Sequence, residues 1–308
     1  SLADLTGGFG IDCSFLATGF RSATYVERQT ELCAIAAHNF PALDLNHISV
    51  RNDDGVAYLE AMSPVDCIFL DPARRNEHGG KTVAISDCEP NVAKLEGLLL
   101  SKANRIMIKL SPMLDLSQAL KELPHTQEVH IISVNNECKE LLLLLGQTAP
   151  EEIPVHCVNL STKGEQEKQL FVFTREQEQH SECSYTDTLG NYLYEPNASL
   201  LKAGAFRSIA AAYSAKKLHP NSHLYTSDTQ IEGFPGRTFR IINRCSLNKK
   251  EIKENLSDLK KANITVRNFP ATVAELRKRI KLAEGGDTYL FASTLNDGQK
   301  ILIRCGKV

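Results

Sequence analysis

The chain has 308 residues, 42% of them hydrophobic, with 35 Lys and Arg against 37 Asp and Glu, a net charge of −2. That length and apolar content suit two domains, each with its own core. The longest uninterrupted apolar runs, six residues at Leu32 to Ala37 and five at Leu141 to Leu145, are far shorter than the roughly 20 residues a membrane helix needs, so no membrane-spanning helix is expected. Nine scattered cysteines form no Cys-x-x-Cys pair and no Cys/His zinc spacing, which predicts reduced thiols, no metal and a soluble cytoplasmic protein.

The first element is a strand end running into Asp4-Leu5-Thr6-Gly7-Gly8-Phe9-Gly10 and then a helix over about 11–18. Glycines after a strand allow tight turns and close approach to a ligand, and the helix start offers unpaired N–H groups and partial positive charge. A phosphate loop would need Gly-Lys-Ser/Thr, but Ile11 and Asp12 follow Gly10. A dinucleotide fingerprint would need a glycine at position 13, which is Cys13. An acid at the strand tip, Asp4, would repel a pyrophosphate and suits S-adenosylmethionine, whose sulfonium and ammonium are both positive. The chain opens inside this strand, so a segment before Ser1 is expected.

A second strand, 21–27, ends in Glu27, placed to accept ribose hydroxyls. A helix over about 29–39 leads to a third strand at 48–50, with Asp53 and Asp54 at its tip and a helix over 53–61. The fourth strand, Val65 to Leu70, runs into Asp71-Pro72-Ala73-Arg74, and the polar stretch Arg74 to Glu89 is positioned as a substrate lid or as a plain surface loop. Helices over 91–102 and 115–121 flank the fifth strand, 105–110, whose end carries Lys109 and Ser111 as wall residues. The sixth strand is 130–134, and Val155 to Leu160 with Leu170 to Thr174 reads as a hairpin closing the sheet. Alternating strands and helices predict an α/β fold around a mostly parallel sheet.

These motifs, Asp-Leu-Thr-Gly-Gly-Phe-Gly at 4–10 and Asp-Pro-Ala-Arg at 71–74, resemble the class I S-adenosylmethionine-dependent methyltransferases of the RNA-modifying kind, over residues 1 to about 145. The resemblance implies a Rossmann-like seven-stranded sheet within a domain at 1–175. It also implies cofactor contacts from Asp4, Thr6, Gly8, Gly10, Glu27, Asp54 and Asp71, and catalytic roles for Asp71, Pro72 and Arg74. In amino-methylating relatives the motif is Asp/Asn-Pro-Pro-Tyr/Phe, from which Ala73 and Arg74 depart. Arg74 could stack on a base or grip a phosphate. Asp-Pro-Ala-Arg is closer to the RNA uracil-5 methyltransferases, but those place a nucleophilic cysteine where this chain has Ser111-Pro112, which disfavours covalent carbon methylation. Cys138 reads as a buried thiol.

After a polar stretch, 175–191, read as a linker, Asn197 is a natural N-cap for an apolar helix over 198–215, inside a small α/β connector at 190–235 for which a ferredoxin-like fold is one option. Residues 236–308 carry 16 Lys and Arg against 7 Asp and Glu, although the whole chain is slightly acidic. Such a module suits a phosphate backbone. The cations singled out are Arg237, Arg267, Arg277, Lys278, Arg279 and Lys281, the last four on one or two helical turns. Phe-Pro-Gly-Arg at 234–237, Arg-Asn-Phe-Pro at 267–270 and Gly-Gly-Asp-Thr-Tyr-Leu at 285–290 resemble THUMP-like domains, which implies RNA binding. The expectation is a methyltransferase for tRNA or rRNA acting at a base nitrogen. A methyltransferase for a protein or small molecule, and a non-catalytic RNA-binding protein keeping the cofactor fold, stay open.

Overall fold

The computed structural model describes residues 1–74, 84–162 and 168–308. The chain folds as two compact units, 1–158 and 159–308.

In the first unit strands and helices alternate as β1 (Leu2–Asp4), α1 (Ile11–Leu16), β2 (Ala23–Glu27), α2 (Thr30–Ala42), β3 (Ile48–Asn52), α3 (Gly55–Ala61) and β4 (Val65–Leu70). A two-residue strand pair follows, β5 (Ala73–Arg74) against β6 (Cys88–Glu89). Then come α4 (Val92–Lys102), β7 (Ala103–Leu110), α5 (Leu116–Glu122), β8 (Thr126–Val134), β9 (Glu137–Gly146) and β10 (Pro154–Leu160), followed by β11 (Lys168–Thr174). The main sheet has the order β11-β10-β8-β9-β7-β4-β1-β2-β3. Strands β3, β2, β1, β4 and β7 run parallel, and β9 lies antiparallel between β7 and β8. The order reverses between β1 and β4, and such a switch point opens a crevice at the carboxyl ends of the strands. On one face Leu2, Cys13, Tyr25, Phe40 and Phe69 form the core beneath α1 and α2.

Seven of these strands form the expected mostly parallel sheet, and the run at 155–174 supplies two more at its end, giving nine. The antiparallel member within the seven is the Leu141–Leu145 run, read from sequence only as an apolar stretch. It enters through Asn135 and Asn136, both at positive φ (50° and 65°), the tight two-residue turn that suits twisted strand pairs. Residues 75–83 of the expected lid lie outside the described residues; its two ends are the β5–β6 pair.

In the second unit β11 is followed by α6 (Arg175–His180), where the sequence reads a linker. Thr174 and Gln177 form a capping box there, and Glu178 accepts the backbone N–H groups of Phe206, Arg207 and Ser208. The apolar stretch at 198–215 is two short helices, α7 (Ala198–Ala203) and α8 (Arg207–Ala212), because Gly204 turns left-handed at φ 78°. Asn197 caps α7 through Leu200 N–H at 3.2 Å, as expected. Around them lie β12 (Tyr192–Pro196), β13 (Lys216–Lys217), β14 (Tyr225–Ser227), β15 (Gly236–Cys245), α9 (Lys249–Leu256), β16 (Asn263–Val266), α10 (Val273–Ile280), β17 (Thr288–Thr294) and β18 (Lys300–Lys307). These seven strands make one sheet, β13-β14-β12-β15-β18-β17-β16, so the 190–235 and 236–308 segments share a continuous ladder through β12 and β15. No helix among the described residues is long and apolar enough to cross a membrane.

Candidate active site

The glycine turn is built by crowding. Gly10 sits at φ 79°, and a Cβ there would lie 2.9 Å from the Phe40 ring. A Cβ on Gly7 would lie 2.3 Å from the Tyr25 ring, whose hydroxyl donates to the Gly8 carbonyl. Glu27, at the tip of β2, holds the same loop: Oε2 accepts Gly8 N–H at 2.9 Å and Oε1 accepts Gln29 N–H at 2.8 Å. Thr6 Oγ1 accepts the Asp71 N–H at 2.6 Å and so ties the turn to the end of β4. Asp54 caps α3, its Oδ1 accepting from Val56 and Ala57.

Together the tips of β1, β2 and β4 and the start of α3 enclose a cleft of about 530 Å³. Thr6, Gly8, Glu27, Asp54 and Asp71 line it; Asp4 and Gly10 lie outside the lining. The sequence reading missed the opposite wall, which includes Glu89, Asn91 and Lys94. Arg28 and Glu89, both lining residues, pair at 3.3 Å. No motif marks these residues, because they reach the cleft only through the return of the chain from β6 into α4. A second cleft of about 360 Å³ is lined by Pro72, Lys109 and Ser111 and shares Asp71 and Ala73 with the first. Asp71 therefore stands on a sill between two pockets. Of Arg74 the structure describes the backbone, paired in β5 with Cys88.

Asp4 is 1% exposed. Its Oδ1 accepts Thr6 N–H at 3.0 Å, while Oδ2 has no hydrogen-bond partner among the described residues. Burial pushes its pKa from 3.8 up to about 7; the Thr6 N–H opposes the rise, Asp12 and Asp71 add to it, and Lys109 draws it down. Lys109 projects from β7, its Nζ 2.6 Å from Asp12 Oδ2 and 2.9 Å from Asp71 Oδ2. Burial alone would lower the lysine's pKa, but its bonds and charge contacts with the two carboxylates raise it overall. Asp12, in the first turn of α1, is a site partner that the sequence reading named without assigning.

In the second unit the six singled-out cations separate. Arg237 donates through Nε at 2.9 Å, and through Nη2, to Glu195 Oε2. Arg267 Nη2 lies 2.8 Å from Glu195 Oε1, an ion pair set off the line of a hydrogen bond. The Glu195 side chain is only 2% exposed, so both arginines are committed to a buried internal carboxylate. Desolvation accounts for that pairing, since an unpaired buried carboxylate is costly, and the two arginines remain 39% and 36% exposed. Arg277 donates to the Ala262 carbonyl and Arg279 to the Leu247 carbonyl at 2.8 Å, anchoring α10. Lys278 and Lys281 are exposed at its end and have no ion pair among the described residues.

A ferredoxin-like domain model matches residues 192–235 and a THUMP domain-like model matches 236–307. The crystal structure of a putative methyltransferase from Porphyromonas gingivalis W83 superposes with a TM-score of 0.90 at 38% identity, over 100% of this chain and 77% of that one. The chain belongs to that protein's family. This family member carries its methyltransferase-like sheet in the first unit and the ferredoxin-like and THUMP-like segments in the second. An rRNA methylase from Streptococcus thermophilus matches 48% of the chain and 87% of its own length, at 12% identity and a TM-score of 0.36. A Streptococcus mutans protein in complex with SAH matches 47% and 86%, at 12% and 0.34. Both of these likenesses are too distant to bear on function. No curated protein matches the sequence.

Proposed function

We propose that the protein is an S-adenosylmethionine-dependent methyltransferase acting on tRNA or rRNA, at a base nitrogen. The observation that carries the cofactor reading is Asp4, a buried carboxylate with an unpartnered oxygen beside a glycine turn, at the switch point of a parallel sheet. A cationic ligand compensates such a charge, whereas a pyrophosphate would be repelled by it. Glu27 and Asp54 line the cleft with carboxylate lone pairs suited to ribose hydroxyls and an adenine amino group. When bound, the cofactor supplies an electrophilic methyl group.

The chain's own residues do the rest. Asp71, on the sill between the two pockets, and the Pro72 carbonyl, in the second of them, accept N–H bonds from the target amine and orient its lone pair. Lys109 holds Asp71 at 2.9 Å and offsets Asp12, keeping one carboxylate facing the acceptor pocket. Positioning of this kind supplies up to roughly 7–11 kcal/mol in favourable cases, so no covalent nucleophile is needed. A paired base would have to leave its stack to enter, which favours loops and single strands. The THUMP-like match and the basic composition of 236–308 support an RNA substrate, and nine free thiols support a cytoplasmic setting.

Calorimetry tests the cofactor: S-adenosylmethionine binds the native protein and binds Asp4→Ala and Glu27→Ala more weakly. Binding that those changes leave untouched refutes the reading. Nucleoside mass spectrometry of RNA from a deletion strain tests the substrate, one methylated nucleoside being lost. An unchanged nucleoside profile redirects the search to protein or small-molecule acceptors.

A further inference from the structure

We propose that Glu128, His130 and His156 form a binding site for a divalent first-row transition ion of the zinc class. Glu128 and His130 are two residues apart on β8, so they share one face of the strand. His156 belongs to β10, the neighbour of β8 in the sheet. Sheet pairing thus gathers three ligands, His156 lying 26 and 28 residues from the other two, a spacing with no metal signature in sequence.

The donor geometry is close to what an ion requires. His130 Nε2 lies 3.2 Å and His156 Nε2 3.9 Å from the same oxygen, Glu128 Oε2. A tetrahedral ion with bonds of about 2.0–2.1 Å has ligand-to-ligand edges of roughly 3.3–3.4 Å, which these distances bracket. The three side chains are 25–39% exposed, half-buried yet open to an entering ion. The imidazole rings stack 4.4 Å apart and within 7° of parallel, so their in-plane lone pairs run side by side next to the carboxylate. Closing on an ion requires the rings to splay until their lone pairs converge, by rotation about the terminal ring torsions, which have broad wells. Two imidazoles and one carboxylate suit zinc and its neighbours rather than magnesium or calcium, and they leave a coordination position open to water.

The site is separate from the methyl-transfer clefts: none of its residues lines them. It lies on the face that carries Lys109, since His130 registers with Leu142 and Leu142 with Lys109. Two strand spacings put the His130 backbone about 10 Å from that of Lys109.

Cobalt(II) substitution tests the proposal on the whole tag-free chain. One equivalent of Co²⁺ should produce a visible ligand-field band of nitrogen and oxygen coordination, which Zn²⁺ then displaces. His130→Asn, His156→Asn and Glu128→Gln should each weaken binding by at least about tenfold, since even supporting residues of metal sites contribute that much. Circular dichroism confirms that each variant keeps its fold, and the gentler Glu128→Gln serves if a histidine variant does not. Absence of a stoichiometric band overturns the proposal, as does a band insensitive to all three changes. A sulfur-to-cobalt charge-transfer band would put the ion on cysteines and likewise overturn it.

Discussion

Replacing Asp4 by Asn should stabilise the ligand-free protein at pH 8 and weaken its hold on a cationic ligand. The carboxyl pKa rises from 3.8 in the open chain to about 7 in the fold because burial strips its water and Oδ2 gains no partner. That rise amounts to roughly 4 kcal/mol of preference for the neutral acid. The sign follows from proton counting. Below 3.8 both states hold the proton and the folded state keeps its full stability; between 3.8 and 7 only the folded state holds it, so stability falls by about 1.4 kcal/mol per pH unit as pH rises. Above 7 the loss is complete. Asn is nearly isosteric, can still accept the Thr6 N–H, and does not titrate. Urea denaturation should therefore find Asp4→Asn more stable than the native chain at pH 8, by up to about 4 kcal/mol, with about 3 kcal/mol of that difference gone at pH 5. Calorimetry at pH 8 should find S-adenosylmethionine affinity reduced at least about tenfold, the loss of one charge contact. A variant less stable than the native chain at pH 8, or a stability difference that ignores pH, would refute the reasoning.

Asp71→Ala should abolish methyl transfer in a tritium-transfer assay while S-adenosylmethionine affinity stays within a few-fold; parallel loss of both makes Asp71 structural. Lys109→Met should lower kcat more than it changes cofactor affinity, because it strips the counter-charge from Asp12 and Asp71; an unchanged kcat removes the lysine from the site. Lys278→Gln with Lys281→Gln should reduce the salt slope of RNA binding by about 2 in a filter-binding titration, and an unchanged slope clears that end of α10. Arg237→Gln should instead cost about 3 kcal/mol in urea denaturation, since it leaves the buried Glu195 with one arginine in place of two; a stability within about 0.5 kcal/mol of native, the scatter of an ordinary surface change, would put Arg237 back among the RNA contacts.

The parts legible in the sequence are those where chemistry and spacing are local. The Asp4–Gly10 turn, Glu27 at the next strand tip and Asp71-Pro72 after β4 each sit within a few residues of the element that positions them. Asp12 and Lys109 are 97 residues apart and meet only because β7 lies beside β4 in the sheet. Strand β9 went unread because Leu141–Leu145 has no polar alternation, both faces of the strand being partly or fully buried. The Asn135-Asn136 pair was the available signal, as asparagine tolerates the positive φ that a tight hairpin needs. For Arg237 and Arg267 net charge gave no hint of their internal pairing. Neither arginine's neighbours in sequence disclose Glu195, which β12 brings into register with Arg237.

Two buried carboxylates in one chain show how a site can be told from a scaffold. Glu195 is enclosed as tightly as Asp4, but two guanidinium groups meet it, and the ensemble joins β12, β15 and the residue following β16. Its charge is balanced within the fold, so nothing further needs to bind. Asp4 has one backbone N–H, two carboxylates raising its pKa and a single lysine engaged elsewhere. Folding alone favours a neutral residue at position 4, and a variant that is more stable and binds worse is the signature of a group kept for its ligand. Under the proposed function the requirement is for a cationic ligand to meet Asp4, beside a glycine turn that admits no side chain at Gly7 or Gly10. A sulfonium with a nearby ammonium meets that requirement, and a dinucleotide phosphate does not.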